Sequence, residues 1–151
     1  HGMRFTGEPA YFKHITEAAT HLMEAMGSTA KDYKWAVFHQ PNVKFPQRVS
    51  GQLGFSAEQI EPGLLVGTIG NTYAGAAMIG LTATLDIAQP GDRILVVSFG
   101  SGAGSDAFDI TVTDKVTARQ GLATKTQEYI KRRTEIDYAT YVRYRGKLAM
   151  R

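Results

Sequence analysis

A histidine and an asparagine are the two side chains whose type and surroundings suit them to act on a substrate. His39 ends the apolar run Trp35-Ala36-Val37-Phe38 and opens HQPNVKF at residues 39–45, so it stands where a buried strand should emerge. Asn71 lies in GNTYAGAA at residues 70–77, at the head of an apolar stretch otherwise poor in polar side chains. A neutral imidazole and a carboxamide each offer an N–H donor. Two such donors on rigid elements can stabilise negative charge developing on one carbonyl oxygen. A histidine after a strand can equally be a satisfied structural residue. The chemical reading requires His39 and Asn71 to converge on one small-molecule atom.

The elements that must position them are legible from spacing. Glu8-Pro9 opens a helix with apolar residues at Phe12, Ile15, Ala19, Leu22, Met23 and Met26, and Gly27 is its stop. Trp35–Phe38 reads as a buried strand. A helix follows that begins between Asn42 and Pro46 and ends near Gly51 to Gly54, with Pro46 tolerable only near its first turn. Ser56 is a candidate cap for a short turn through Ile60, and Pro62-Gly63 is a break. The stretch NTYAGAAMIGLTATLDIA from Asn71 predicts one helix, buried on nearly every side and closely packed through its Ala and Gly residues. Gln89-Pro90-Gly91-Asp92 is a turn and Arg93–Phe99 an apolar strand. Phe108, Ile110 and Val112 then alternate with Asp109, Thr111 and Thr113, predicting a half-buried strand paired antiparallel to the one before. The result is a layered α/β arrangement with about three strands, thin for a self-sufficient sheet.

The 151 residues, 43% hydrophobic and 10% aromatic, suit one domain with its own core. No apolar run approaches a membrane span, and HGMRFTGEP lacks the layout of a signal peptide, so a cytoplasmic setting is expected. With no cysteine, disulfides, thiolate metal sites and a Cys nucleophile are excluded within this chain. The four histidines show no metal-ligand spacing. Gly100, Gly102 and Gly104 follow a strand but lead into a strand rather than a phosphate-binding helix, which argues against nucleotide binding. Ser101 and Ser105 do not sit in G-x-S-x-G. That loop is either a tight turn or a glycine-lined wall beside a ligand. The net charge of +3 divides unevenly: residues 1–116 carry 8 basic and 11 acidic side chains, residues 117–151 carry 9 and 3. The boundary therefore separates a main domain, 1–116, from a basic, largely helical extension, 117–151, bearing Tyr138, Tyr141 and Tyr144. A solvated or dimer-facing tail is favoured over one that binds nucleic acid.

HQPNVKF and GNTYAGAA resemble the His and Asn motifs of the condensing enzymes of the thiolase superfamily. Together with RFTGEPAYFKHI at 4–15, SFGSGAGSDAF at 98–108 and YATYVRYRGK at 138–147, the chain resembles the archaeal type of 3-hydroxy-3-methylglutaryl-CoA synthase. The resemblance covers essentially all of this chain and only the C-terminal portion of the family's chain. It implies the C-terminal half of a thiolase-like fold, with a buried helix against a mixed sheet. It also implies condensation of acetyl-CoA with acetoacetyl-CoA, the nucleophilic Cys and the general-base Glu coming from the N-terminal half; alone, the chain is expected to be inactive.

By motif, His39 would polarise the acetoacetyl group and Asn71 would hold an acyl thioester oxygen. Gly100, Ser101 and Gly102 would line the acyl pocket, and Lys44 and Arg48 would approach CoA phosphates or else be solvent-facing helix charges. The resemblance implies no metal and no cofactor beyond coenzyme A thioesters as substrates. Its implied partners are the N-terminal half, a second copy in a homodimer, an acetoacetyl-CoA thiolase and a small zinc-ribbon/OB-fold protein, with no nucleic acid and no membrane. Two alternatives stay open: a ketoacyl synthase III-like condensing enzyme, and a non-catalytic half-fold module that binds partners.

Overall fold

Tyr11, Ile15, Ala19 and Met23 recur every four residues with Phe12 alongside, and this stripe is the buried face of α1 (Ala10–Ala25). The computed structural model describes residue 8, residues 10–100, residue 102 and residues 104–147. Helix α1 ends at the predicted glycine. Gly27 adopts φ +59°, Ser28 N–H donates to Met23 O at 2.8 Å, and Gly27 N–H donates to Glu24 O at 3.1 Å. The last carbonyls are thus satisfied by a residue that tolerates the left-handed conformation.

β1 (Trp35–Phe38) leads through residues 39–43 to α2 (Lys44–Gln52). Asn42 Oδ1 accepts the Phe45 N–H at 3.0 Å, and Pro46 falls in the first turn, where no helical N–H partner is lost. Ser56 caps α3 (Ala57–Ile60) in a reciprocal box with Gln59. The Gln59 Nε2 then reaches Ala30 O at 2.9 Å and Tyr33 O at 2.7 Å, fastening α3 to the residues that enter β1. A 3₁₀ turn at Glu61–Gly63 and the single-turn α4 (Val66–Ile69) follow.

The helix expected from Asn71 is shorter than its composition suggests. α5 runs only over Ala76–Leu85. Asn71 Oδ1 accepts the Tyr73 N–H at 2.7 Å and Tyr73 takes φ 52°, so a side chain captures the backbone that a helix would have used. Nor is α5 buried all round: Ala76, Ala77, Gly80, Ala83 and Thr84 face inward while Met78 is 62% exposed.

β2 (Arg93–Val97) pairs parallel with β1, Trp35 opposite Ile94 and Phe38 opposite Val97. β3 (Ala107–Thr111) pairs antiparallel with β2, as expected of the hairpin, giving a mixed sheet of order β1-β2-β3. Ala36, Phe38, Leu95 and Val97 face α1, and Val37, Ile94 and Val96 pack with Ala77 of α5, so three layers form. On β3 the alternation is only partly kept. Phe108 is 53% exposed, whereas the Asp109 carboxylate on the opposite face is enclosed by Arg93, with Nε at 2.9 Å, and by the Tyr33 hydroxyl at 2.9 Å. Those donors, Arg93 first, hold the Asp109 carboxyl below the usual carboxylate range.

Beyond β3 the chain forms α6 (Lys115–Arg119), α7 (Thr126–Lys131) and α8 (Tyr138–Tyr144). Residue 116 lies within α6. Gln120 Nε2 donates to Leu85 O at 2.7 Å and Ala88 O at 2.8 Å, satisfying carbonyls at the end of α5. The Thr126 N–H reaches Asp86 Oδ2 at 2.6 Å, and Ile130 packs with Leu65 and Ala83. Among the described residues no helix is long and apolar enough to cross a membrane.

Candidate functional site

His39 is the first residue beyond β1, and its backbone is held on both sides. Its N–H donates to Val97 O at 2.8 Å, which extends the β1–β2 ladder, and its carbonyl accepts the Tyr11 hydroxyl at 2.6 Å. The ring lies among Tyr11 and Phe99, at centroid distances of 6.2 Å and 5.8 Å, and the residue is 8% exposed. Burial pushes its pKa below the ordinary 6.5, so the neutral imidazole, with one N–H to donate, dominates at neutral pH. Because the folded state resists protonation, this group's contribution to stability is complete above pH 6.5 and is lost as pH falls through the depressed folded value. An NMR titration of the His39 ring protons should therefore give a midpoint below 6.5. A midpoint at or above that value would show that the enclosure does not act on the ring.

Asn71 lies between α4 and α5 and is exposed. Its Oδ1 is engaged by the Tyr73 N–H, which orients the carboxamide and leaves the Nδ2 protons for another acceptor. Among the described residues no hydrogen bond joins Asn71 to His39. What connects them is Gln40, 3% exposed, whose side chain bonds to Gly63, Leu65, Val66 and Ala76 around the Asn71 segment.

Gly100 and Gly102 are exposed, Gly100 N–H donates to Gly104 O at 2.9 Å, and the Phe99 ring that precedes them lies beside His39. Ser101 lies outside the described residues. Lys44 opens α2 and faces solvent. Arg48, also on α2, stacks over the Phe12 ring at 4.4 Å and pairs with Glu8 at 3.5 Å. Both partners of that pair are more than half exposed, so it adds little stability.

A cavity of about 700 Å³ lies elsewhere. It runs between α5, β3, α6 and α7 past Ile79, Leu85, Ile110 and Ile130. It reaches Thr111, which pairs with Arg93 at one end of β2, whereas His39 bonds to Val97 at the other. Among the described residues no cluster of His, Asp and Glu could hold a metal ion.

Two residues at the site, Tyr11 and Gln40, are not among those singled out from the sequence. Tyr11 belongs to the four-residue row with Ile15, Ala19 and Met23, a signal present in the sequence but overshadowed by Phe12. Gln40 carries no such signal, since a polar residue between a strand and a proline reads as solvent-facing.

Residues 23–110, which contain both His39 and Asn71, match the family 3-oxoacyl-[acyl-carrier-protein (ACP)] synthase III C terminal. The chain belongs to that family. The chain is 58% identical over 98% of its length to a hydroxymethylglutaryl-CoA synthase of Methanocella arvoryzae, and 60% identical over 99% to one of Thermococcus onnurineus. It spans about 43% of the length of each. Among solved structures, a β-ketoacyl-[acyl carrier protein] synthase III from Thermus thermophilus is 25% identical with a TM-score of 0.64, covering 72% of this chain and 35% of that one. MvaS, in complex with 3-hydroxy-3-methylglutaryl coenzyme A, shares the fold with a TM-score of 0.71 at 21% identity, covering 92% of this chain and 42% of that one. The expected thiolase-like architecture, part of a larger domain, agrees with these neighbours.

Proposed function

We propose that this chain forms the C-terminal catalytic portion of a hydroxymethylglutaryl-CoA synthase, which condenses acetyl-CoA with acetoacetyl-CoA in the mevalonate route. The observation that carries the reading is the 58% identity to a hydroxymethylglutaryl-CoA synthase across 98% of the chain, a span that includes His39 and Asn71. A cysteine and a glutamate from the N-terminal portion supply the nucleophile and the base. The acetyl group transfers from CoA to the thiolate, its methyl proton goes to the carboxylate, and the resulting carbon attacks the ketone of acetoacetyl-CoA. Negative charge then gathers on the former ketone oxygen, where the neutral His39 imidazole donates; that oxygen takes up a proton, and water hydrolyses the thioester to the cysteine, freeing the product and restoring the thiolate. Asn71 Nδ2 holds the oxygen of the acyl thioester. Gly100, Ser101 and Gly102 line the acyl pocket, Lys44 and Arg48 lie toward the CoA phosphates, and the substrates are coenzyme A thioesters with no further cofactor. The working enzyme is a cytoplasmic homodimer, and a thiolase that makes acetoacetyl-CoA and a zinc-ribbon/OB-fold protein are its expected neighbours.

Combining this chain with the N-terminal portion of the Methanocella arvoryzae relative should restore CoA release that requires both acetyl-CoA and acetoacetyl-CoA. Release that requires an acyl carrier protein instead would favour a ketoacyl synthase III. A stable assembly without turnover would favour a partner-binding module.

A further inference from the structure

Gln40 follows His39 directly, is 3% exposed, and uses every hydrogen-bonding position of its carboxamide. Nε2 donates to Gly63 O at 2.7 Å and Ala76 O at 3.1 Å, while Oε1 accepts the Leu65 N–H at 2.7 Å and the Val66 N–H at 2.8 Å. These partners are not scattered. Leu65 and Val66 lead into α4, whose C-terminal Gly70, at φ 77°, delivers the chain to Asn71. Ala76 is the first residue of α5, where the chain returns from Asn71 to the core. The excursion from Val66 to Ala76 therefore has both ends held by one side chain rooted at the end of β1.

No sheet ladder restrains this excursion, and residues 70–75 are exposed throughout. The surrounding backbone is fitted to the carboxamide: a Cβ on Gly80 would stand 3.1 Å from Gln40 Nε2 and 2.9 Å from Gly63 O. We propose that Gln40 is a positioning residue that sets the Asn71 carboxamide in register with His39, through its adjacent place in the chain and its four bonds to the segment carrying Asn71. This rests on the function proposed above. A shorter amide cannot reach all four partners, and a carboxylate would oppose the carbonyls of Gly63 and Ala76. A displacement of about 1 Å in a catalytic donor costs on the order of 10²-fold in rate.

The test uses the assembly of this chain with the Methanocella arvoryzae N-terminal portion and compares Gln40→Met, Gln40→Glu, Asn71→Ala and the double variant Gln40→Met/Asn71→Ala. Gln40→Met should lower kcat about 10²-fold while KM for acetoacetyl-CoA stays within about threefold, because the groups that bind the CoA moiety are untouched. The double variant should be no slower than Asn71→Ala alone, since a positioning residue has nothing to add once its donor is gone. Gln40→Glu, which keeps the acceptor but sets a buried carboxylate against the carbonyls of Gly63 and Ala76, should be at least as slow as Gln40→Met. Losses that multiply in the double variant, or that follow the folded fraction measured by circular dichroism, would overturn the assignment. So would failure of both Gln40 variants to fold, which would make the residue structural. If Asn71→Ala is slow and Gln40→Met is not, the assignment falls and the function stands. If wild type shows no condensation, or neither Asn71→Ala nor His39→Ala affects it, the function falls and takes the assignment with it.

Discussion

Replacing His39 by alanine in the reconstituted enzyme is expected to lower condensation turnover about 10²–10³-fold, the usual cost of removing one donor from a site where charge develops. The effect is large because the imidazole acts from an enclosed position. At 8% exposure it is largely shielded from solvent, and its backbone is pinned by Val97 on one side and Tyr11 on the other, so it reorganises little as charge builds. Initial rates of CoA release at saturating substrates measure the effect. Unfolding curves of the same variant separate lost chemistry from lost packing, since the ring also fills space beside Tyr11 and Phe99. A rate within about threefold of wild type in a folded variant would make His39 a core residue only and remove the basis for the proposed chemistry.

Gly80→Ala is expected to destabilise the chain by about 2–3 kcal/mol, although alanine is the better helix former. The added Cβ would stand 2.8 Å from Val37 Cγ1 and 2.9 Å from Gly63 O, and neither a β-branched core side chain nor a backbone carbonyl held by Gln40 can retreat cheaply. Gly51 provides the opposite case. It lies inside α2, and a methyl group added there would meet nothing within 4 Å, so Gly51→Ala should stabilise by about 0.5–1 kcal/mol through helix propensity alone. Chemical denaturation of the two variants beside wild type checks both signs. Equal effects would mean that α5 does not approach β1 as closely as the structure has it.

The glycine pair illustrates how the information divides. Both residues sit in stretches of helical pattern, and nothing local distinguishes the one that admits a methyl group from the one that does not. The sequence alone determined most of the stripe of α1, though it included Met26, which is 53% exposed beyond the helix, and omitted the buried Tyr11; it also determined the stop at Gly27, the strand at Trp35–Phe38, the Ser56 cap and the β2–β3 hairpin. Each of these depends on side-chain period or on hydrogen bonds between residues a few positions apart. The motifs around His39 and Asn71 were equally legible, because residue type and order are what define them. Tertiary structure decided the rest. It joined Arg48 to Glu8 and Phe12, whereas the late start of α5 at Ala76 has a local cause, the Asn71 side chain taking the Tyr73 N–H two positions on. It also turned Gln40 inward, toward backbone groups of residues 63 to 76 that lie far along the chain. A polar residue at a strand end is inexpensive to expose and costly to bury without partners, and whether four partners await it is settled only when distant segments close around it.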